Sequence, residues 1–176
     1  METYFVKSGD NHYLYVKRRI ENDYESVCVF RVTENSVEYV DEFGGGFQSF
    51  TNSLDFEVTK RMDLLSTYSA VARCYVGDDG MPVEKGGVYE VINELTITST
   101  VEIPAELVDE SGNLTGEQFT FLPGTDFTLQ RTDGATYVDV LSEDGKWCRF
   151  YTTPEWPQTV NGMDANSSFE MLWYAG

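Results

Sequence analysis

From Tyr4 onward the chain alternates apolar and polar residues in short runs: Tyr4 to Val6, His12 to Lys17 (HYLYVK), Ser26 to Val32 (SVCVFRV) and Ser36 to Val40 (SVEYV). A period of two sends successive side chains to opposite faces of a pleated backbone, so each run predicts a half-buried strand. The intervening words KSGDN, RIENDYE and TEN carry the Gly, Asn and Asp that tight reversals require, which predicts consecutive antiparallel hairpins. Gly44, Gly45 and Gly46 then predict a loop, because three glycines carry too much backbone entropy for the interior of an element. Beyond it, Asp55 to Thr59 reads as a strand, RMDLLS as a short helical turn and AVARCYV as a strand closed by the turn Asp78-Asp79-Gly80.

Residues 81–88 (MPVEKGGV) hold one Pro and two Gly with little apolar content, which sets the expected boundary between two parts, 1–86 and 87–176. The second part reads as strand after strand: Tyr89 to Ile92, Leu95 to Ile103, Phe119 to Leu122, Phe127 to Arg131, Tyr137 to Leu141 and Lys146 to Tyr151. A long polar loop (DESGNLTGEQ) precedes two hairpins of the Asp-Gly type, TDG and EDG, the order of a small SH3-like barrel. Closing such short strands on themselves hides their edges. The expected fold is therefore all-β: an N-terminal antiparallel β-meander sheet followed by an SH3-like β-barrel, with helix confined to single turns near Met62 and at Asp164 to Met171.

At 176 residues, 20.0 kDa and 41% hydrophobic residues, the chain is long enough to bury a sizeable core. Its formal net charge is −18. A polyanion of that density is repelled by DNA, RNA and anionic headgroups, so no direct nucleic-acid partner is expected. The charge is uneven: residues 1–88 hold 9 basic and 15 acidic side chains, and residues 89–176 hold 3 and 15. No run of 18 apolar residues exists, so no membrane span is expected.

Candidate chemistry is sparse. Cys28, Cys74 and Cys148 lie far apart in strand-like words with no CxxC spacing, which predicts three buried, inert thiols without a disulfide framework or a zinc site. His12 is the only histidine and sits within a strand word, so a multi-imidazole metal site is impossible. Asp109, Glu110, Asn113 and Glu117 lack the spacing of an EF-hand, and the glycine triplet does not open a helix with a P-loop lysine. No cofactor motif is present, no catalytic residue stands out, and the expectation is a protein that is not an enzyme. Aromatic residues are the feature in surplus, with eleven Tyr, eleven Phe and three Trp. Aromatic rings on a β-surface are platforms for glycan or peptide ligands, and Trp147, Trp156 and Tyr137 are the candidate ligand-facing residues.

The segments IENDYESVCVFRV, RMDLLSTYSA with YVGDDGMPV, FLPGTDFTLQRTDGATYVDVLSEDGKWCRFY and WPQTVNGMDANSSFEMLWYAG resemble the C-terminal region of cell-surface lipoproteins of Gram-positive gut bacteria. Residues 95–151 also resemble, more loosely, the bacterial SH3-like domains that follow wall-binding modules. The first resemblance implies an extracellular or cell-surface, non-catalytic interaction or structural module whose partner is a cell-wall glycan, a peptide or a protein. It brings no functional residues with it, and no lipobox cysteine stands near the N-terminus. An opposing reading is a cytoplasmic or phage-encoded acidic inhibitor that mimics nucleic acid towards a basic protein, which requires its carboxylates in one regular stripe.

Overall fold

The computed structural model describes residues 2–19 and 25–174, and the reversal expected within 20–24 lies outside them. The described residues form seventeen strands and one helical turn. The first eight strands are β1 (Glu2–Ser8), β2 (Asn11–Arg19), β3 (Glu25–Val32), β4 (Val37–Gly44), β5 (Gly46–Asn52), β6 (Asp55–Asp63), β7 (Thr67–Val76) and β8 (Pro82–Glu84). Then come β9 (Tyr89–Val91), β10 (Thr96–Thr98), β11 (Ile103–Val108), β12 (Leu114–Phe121), β13 (Asp126–Thr132), β14 (Tyr137–Ser142) and β15 (Trp147–Thr153). The two-residue strands β16 (Thr159–Val160) and β17 (Met163–Asp164) lead into α1 (Ala165–Ser168). The protein is all-β, and every strand pair whose register is resolved is antiparallel.

Two compact units divide the chain: Met1–Lys60 with Val71–Gly87, and Arg61–Ala70 with Val88–Gly176. In the first unit β1-β2-β3-β4 form a meander whose inward residues Val6, Tyr13, Tyr15, Val27 and Val29 are buried. The Tyr15 ring lies 5.5 Å from Phe47, which in turn packs on Phe56 at 5.7 Å. The Tyr15 hydroxyl donates to the Gly80 carbonyl at 2.5 Å, so the large ring is buried with its polar end satisfied. Gly80 has a φ of 89°, and a Cβ there would collide with the Tyr13 ring, so this turn needs glycine twice over. Strands β5-β6-β7-β8 complete the unit.

Four local expectations give way. The strand expected from Leu95 to Ile103 is broken, since β10 ends at Thr98 and β11 begins at Ile103. Residues 44–46 do not form a loop: β4 runs to Gly44, β5 starts at Gly46, and Gly45 alone, at φ 93°, makes the joint. A Cβ at Gly45 would meet the Thr59 carbonyl, so a glycine lets two backbones touch there instead of loosening the chain. Arg61 to Ser66 form no helical turn; β6 extends to Asp63 and the chain reverses through Leu65 and Ser66 at φ 56° and 133°. The polar word from Asp109 to Gln118 is a loop only as far as Asn113, because β12 begins at Leu114.

The second unit orders its strands β12-β11-β15-β14-β13-β9, continuing to the ends of β7 and β6 that lie within Arg61–Ala70. That order has two ends, and no sheet of the described residues closes, so the SH3-like barrel expected for residues 87–176 is not found. The physical reason is local. The edge of β13 that a closing strand would need is shared by β9, at Arg131 and Thr132, and by β10, at Asp126 to Thr128. The core is sealed by other means. Phe121, Phe127, Phe150 and Phe169 stack within 5.1–6.3 Å of one another in five ring pairs. The apolar β6–β7 reversal, with Met62, Leu64, Leu65 and Tyr68, joins the same core. That burial explains why Arg61–Ala70 belongs to this unit although it precedes residue 87. The helical turn expected at the C-terminal end is present as α1, capped by the Asp164 carboxylate.

Candidate functional site

Strands β14 and β15 are half-buried ribbons: Val138, Val140, Cys148 and Phe150 point into the core and are fully buried, so the alternate residues stand on the outer face. Register places Arg131, Asp139, Arg149, Glu106 and Gln118 side by side across β13, β14, β15, β11 and β12. Charge alternates along the row from arginine to aspartate to arginine to glutamate. Asp139 is fully buried and receives Arg131 Nε at 2.7 Å, Arg149 Nε at 2.6 Å and Arg149 Nη2 at 2.9 Å. The Asp139 hydrogen bond raises the pKa of Arg149 further above its ordinary value, against the effect of burial. Two guanidiniums around one carboxylate satisfy the buried charge and leave further donors over. Those donors reach the β11–β12 loop: Arg131 Nη1 to the Glu110 carbonyl at 2.6 Å, Arg131 Nη2 to Asp109 at 3.0 Å and Arg149 Nη2 to Gly112 at 3.1 Å.

Two of the three candidate aromatics belong to this cluster. Arg131 lies 4.7 Å over the Trp147 ring and Arg149 lies 3.7 Å over the Tyr137 ring. Tyr137 and Trp147 are therefore half-buried, oriented platforms held by cation–π contacts. Trp156 is not part of that row: it is 67% exposed between β15 and β16, follows Pro154, precedes a cis peptide to Pro157, and meets Tyr174 edge-on at 5.4 Å. The pairing of Tyr137 with Tyr151 and of Leu141 with Trp147 puts Tyr137 and Trp147 on one face. The arginines and Asp139 between them were missed, since only strand register brings positions 131, 139 and 149 together.

Two surface grooves flank the row along β11 and β15. The larger, about 400 Å³, has Trp147 as its aromatic wall, with Leu107, Lys146, Asp109, Glu110 and Glu117 among the residues around it. The smaller, about 180 Å³, is lined by Glu106, Arg149, Tyr151 and Asn161. The Tyr151 hydroxyl donates to Glu106 Oε2 at 2.6 Å, and that bond raises its pKa. An aromatic wall beside acceptors and an ammonium group suits a ligand with hydroxyl or amide groups around an apolar face.

Other sequence candidates are occupied by structure. Asp109 Oδ1 accepts from the backbone of Ser111 and Asn113, each at 2.9 Å, and side-chain and backbone bonds from Asn113 lead the lowering of its pKa. Among the described residues no group of three His, Cys, Asp or Glu side chains is arranged to hold a metal. Of the three thiols expected to be buried, Cys74 and Cys148 are, and burial pushes them up to about 11 and about 12, whereas Cys28 is half-buried. His12 is half-buried and stacks on Phe5 at 5.6 Å. Among the described residues no helix is long and apolar enough to cross a membrane. Comparison with family models, with curated proteins and with solved structures yields no match.

Proposed function

We propose that the chain is a non-catalytic binding module of a bacterial cell-surface protein, and that its ligand is a glycan chain seated along the Trp147 groove. The observation that carries this reading is the Trp147 ring, fixed by Arg131 at 4.7 Å and forming the wall of a groove that Glu110, Glu117 and Lys146 also line. Sugar rings offer an apolar face to an indole and hydroxyls to carboxylates, so this is glycan chemistry with few moving parts. Among the described residues, the carboxylates whose pKa departs from its ordinary value, Glu2, Asp55, Asp109, Asp133 and Asp144, all shift downward, away from the direction a general acid needs. The alternating signs of the outer row also differ from the like-charged stripe of a nucleic-acid mimic.

Co-sedimentation with insoluble Gram-positive cell walls at low and high salt tests the reading. Retention that survives high salt is expected, because a chain of net charge −18 is not trapped electrostatically on an anionic wall. Trp147→Ala is expected to weaken retention about tenfold, equivalent to about 1.4 kcal/mol, while Trp156→Ala tests whether the exposed second aromatic adds to the same ligand. Both variants should keep the wild-type circular dichroism spectrum. Absence of retention at either salt, with capture by a basic nucleic-acid-binding bait, would replace this reading with the acidic inhibitor.

A further inference from the structure

The β1–β4 sheet carries apolar side chains on both faces. Val6, Tyr13, Tyr15, Val27 and Val29 are buried on the inward one, and register also lines up Phe5, Leu14, Phe30 and Tyr39 straight across all four strands on the outward face. Phe5 and Tyr39, at the two ends of this row, are 64% and 57% exposed, and Leu14 and Phe30 between them are half-buried. The neighbouring row adds Val32 and Val37, the latter 62% exposed, and the row on the other side adds Val16 and Cys28. We infer that this outward face is the contact surface for a second copy of the same chain, forming a two-fold symmetric dimer by sheet-on-sheet packing.

Three observations select a second copy. The first is area: aromatic side chains offer about 150–250 Å² each, so Phe5 and Tyr39 alone present on the order of 250 Å². With the aliphatic neighbours the patch reaches about 500 Å², near the top of what a monomer exposes. Two such faces bury about 1,000 Å², the lower bound for a specific interface. The second is charge. Across the three rows the formal charges are Lys7 and Glu42, and Glu42 is already paired with Arg18. In a chain of net charge −18 this is a face on which two copies meet without setting carboxylates against each other. The third is self-complementarity. A two-fold axis along the strands lays the row over its copy reversed end for end, so the Phe5 end of one meets the Tyr39 end of the other and Leu14 meets Phe30.

Molar mass by light scattering of the full chain, from micromolar to submillimolar concentration in physiological salt, is the test. The expected result is a rise from 20.0 kDa towards twice that value. The double variant Phe5→Lys with Tyr39→Lys should remain at 20.0 kDa throughout, while Leu54→Lys, at a residue 70% exposed outside these rows, should dimerise like the wild type. Cys28, the half-buried thiol on this face, supplies a readout that needs no mutation. Its alkylation should slow with rising protein concentration, in proportion to the remaining monomer. A constant 20.0 kDa with concentration-independent alkylation overturns the inference, as does a dimer that survives the double variant. Loss of wall retention by the double variant, with monomeric wild type, would assign the face to the glycan instead. Because Trp147 is not part of this face, loss of retention on Trp147→Ala leaves the dimer intact, and the two readings fail separately.

Discussion

In the β1–β4 sheet the outward row is Phe5, Leu14, Phe30 and Tyr39, whereas across β13, β14, β15 and β11 it is Arg131, Asp139, Arg149 and Glu106. The inner faces of both sheets bury aliphatic and aromatic side chains, Tyr13, Tyr15, Val27 and Val29 in one and Val138, Val140 and Phe150 in the other. An inner face reports only that a core exists, since any sequence that folds must bury one. Outer faces differ because nothing in folding demands a particular composition there. The second outer face is internally complete: its buried charge is paired, and its arginines are stacked and bonded to loop carbonyls. The first leaves aromatic surface in water, which folding of the chain alone does not require.

Asp139 is the residue whose loss costs the second unit most. Asp139→Ala leaves Arg131 and Arg149 without their shared carboxylate, and removing one partner of a buried ionic group costs about 3–5 kcal/mol, read as a lower denaturant midpoint. The β11–β12 loop should then show faster amide exchange, because the guanidiniums that hold the Asp109, Glu110 and Gly112 carbonyls lose their anchor. In the first unit, Tyr15→Phe removes the bond to the Gly80 carbonyl at a fully buried ring and should cost about 1–2 kcal/mol by the same measurement.

Asp133 is pulled upward by burial, but the Thr136 hydroxyl and the backbone N–H groups of Ala135, Thr136 and Tyr137 lower its pKa on balance. A carboxyl with a depressed folded-state pKa contributes stability that is complete above its unfolded value and is lost as pH falls through the folded value. Denaturant midpoints should therefore hold down to about pH 4 and decline below it, and Asp133→Asn should flatten that decline. The smallest effect is expected on the apolar outer face: at protein concentrations that keep it monomeric, Phe5→Lys should change unfolding free energy by no more than about 0.5 kcal/mol. A large loss there would mean that Phe5 supports the fold of its own chain.

Most strands were legible because alternation is local. HYLYVK and SVCVFRV each report two faces without reference to anything distant, and β2 and β3 extend those words by a few residues. What failed had a non-local cause. The glycine triplet reads as a loop until Thr59 is known to lie against Gly45. The word RMDLLS reads as helical because its apolar residues are adjacent, but the Phe-rich core of the second unit takes up Met62, Leu64 and Leu65. Of the candidate aromatics, Tyr137 and Trp147 are legible from the aromatic surplus, whereas their arginine partners are not, since Arg131, Asp139 and Arg149 are separated by 8 and 10 residues.

The amino-acid sequence by itself determined an all-β chain, its strongly acidic character, the two-faced strands and the surplus of aromatic rings, all of which follow from residue type and spacing within a few positions. Tertiary structure alone decided that the second sheet stays open, that residues 61–70 belong with residues 88–176, that one outer face carries a paired charge row and that the other is apolar. The reason is strand register: a strand's own residues establish which side chains share a face, but only its pairing establishes which side chains of other strands stand beside them.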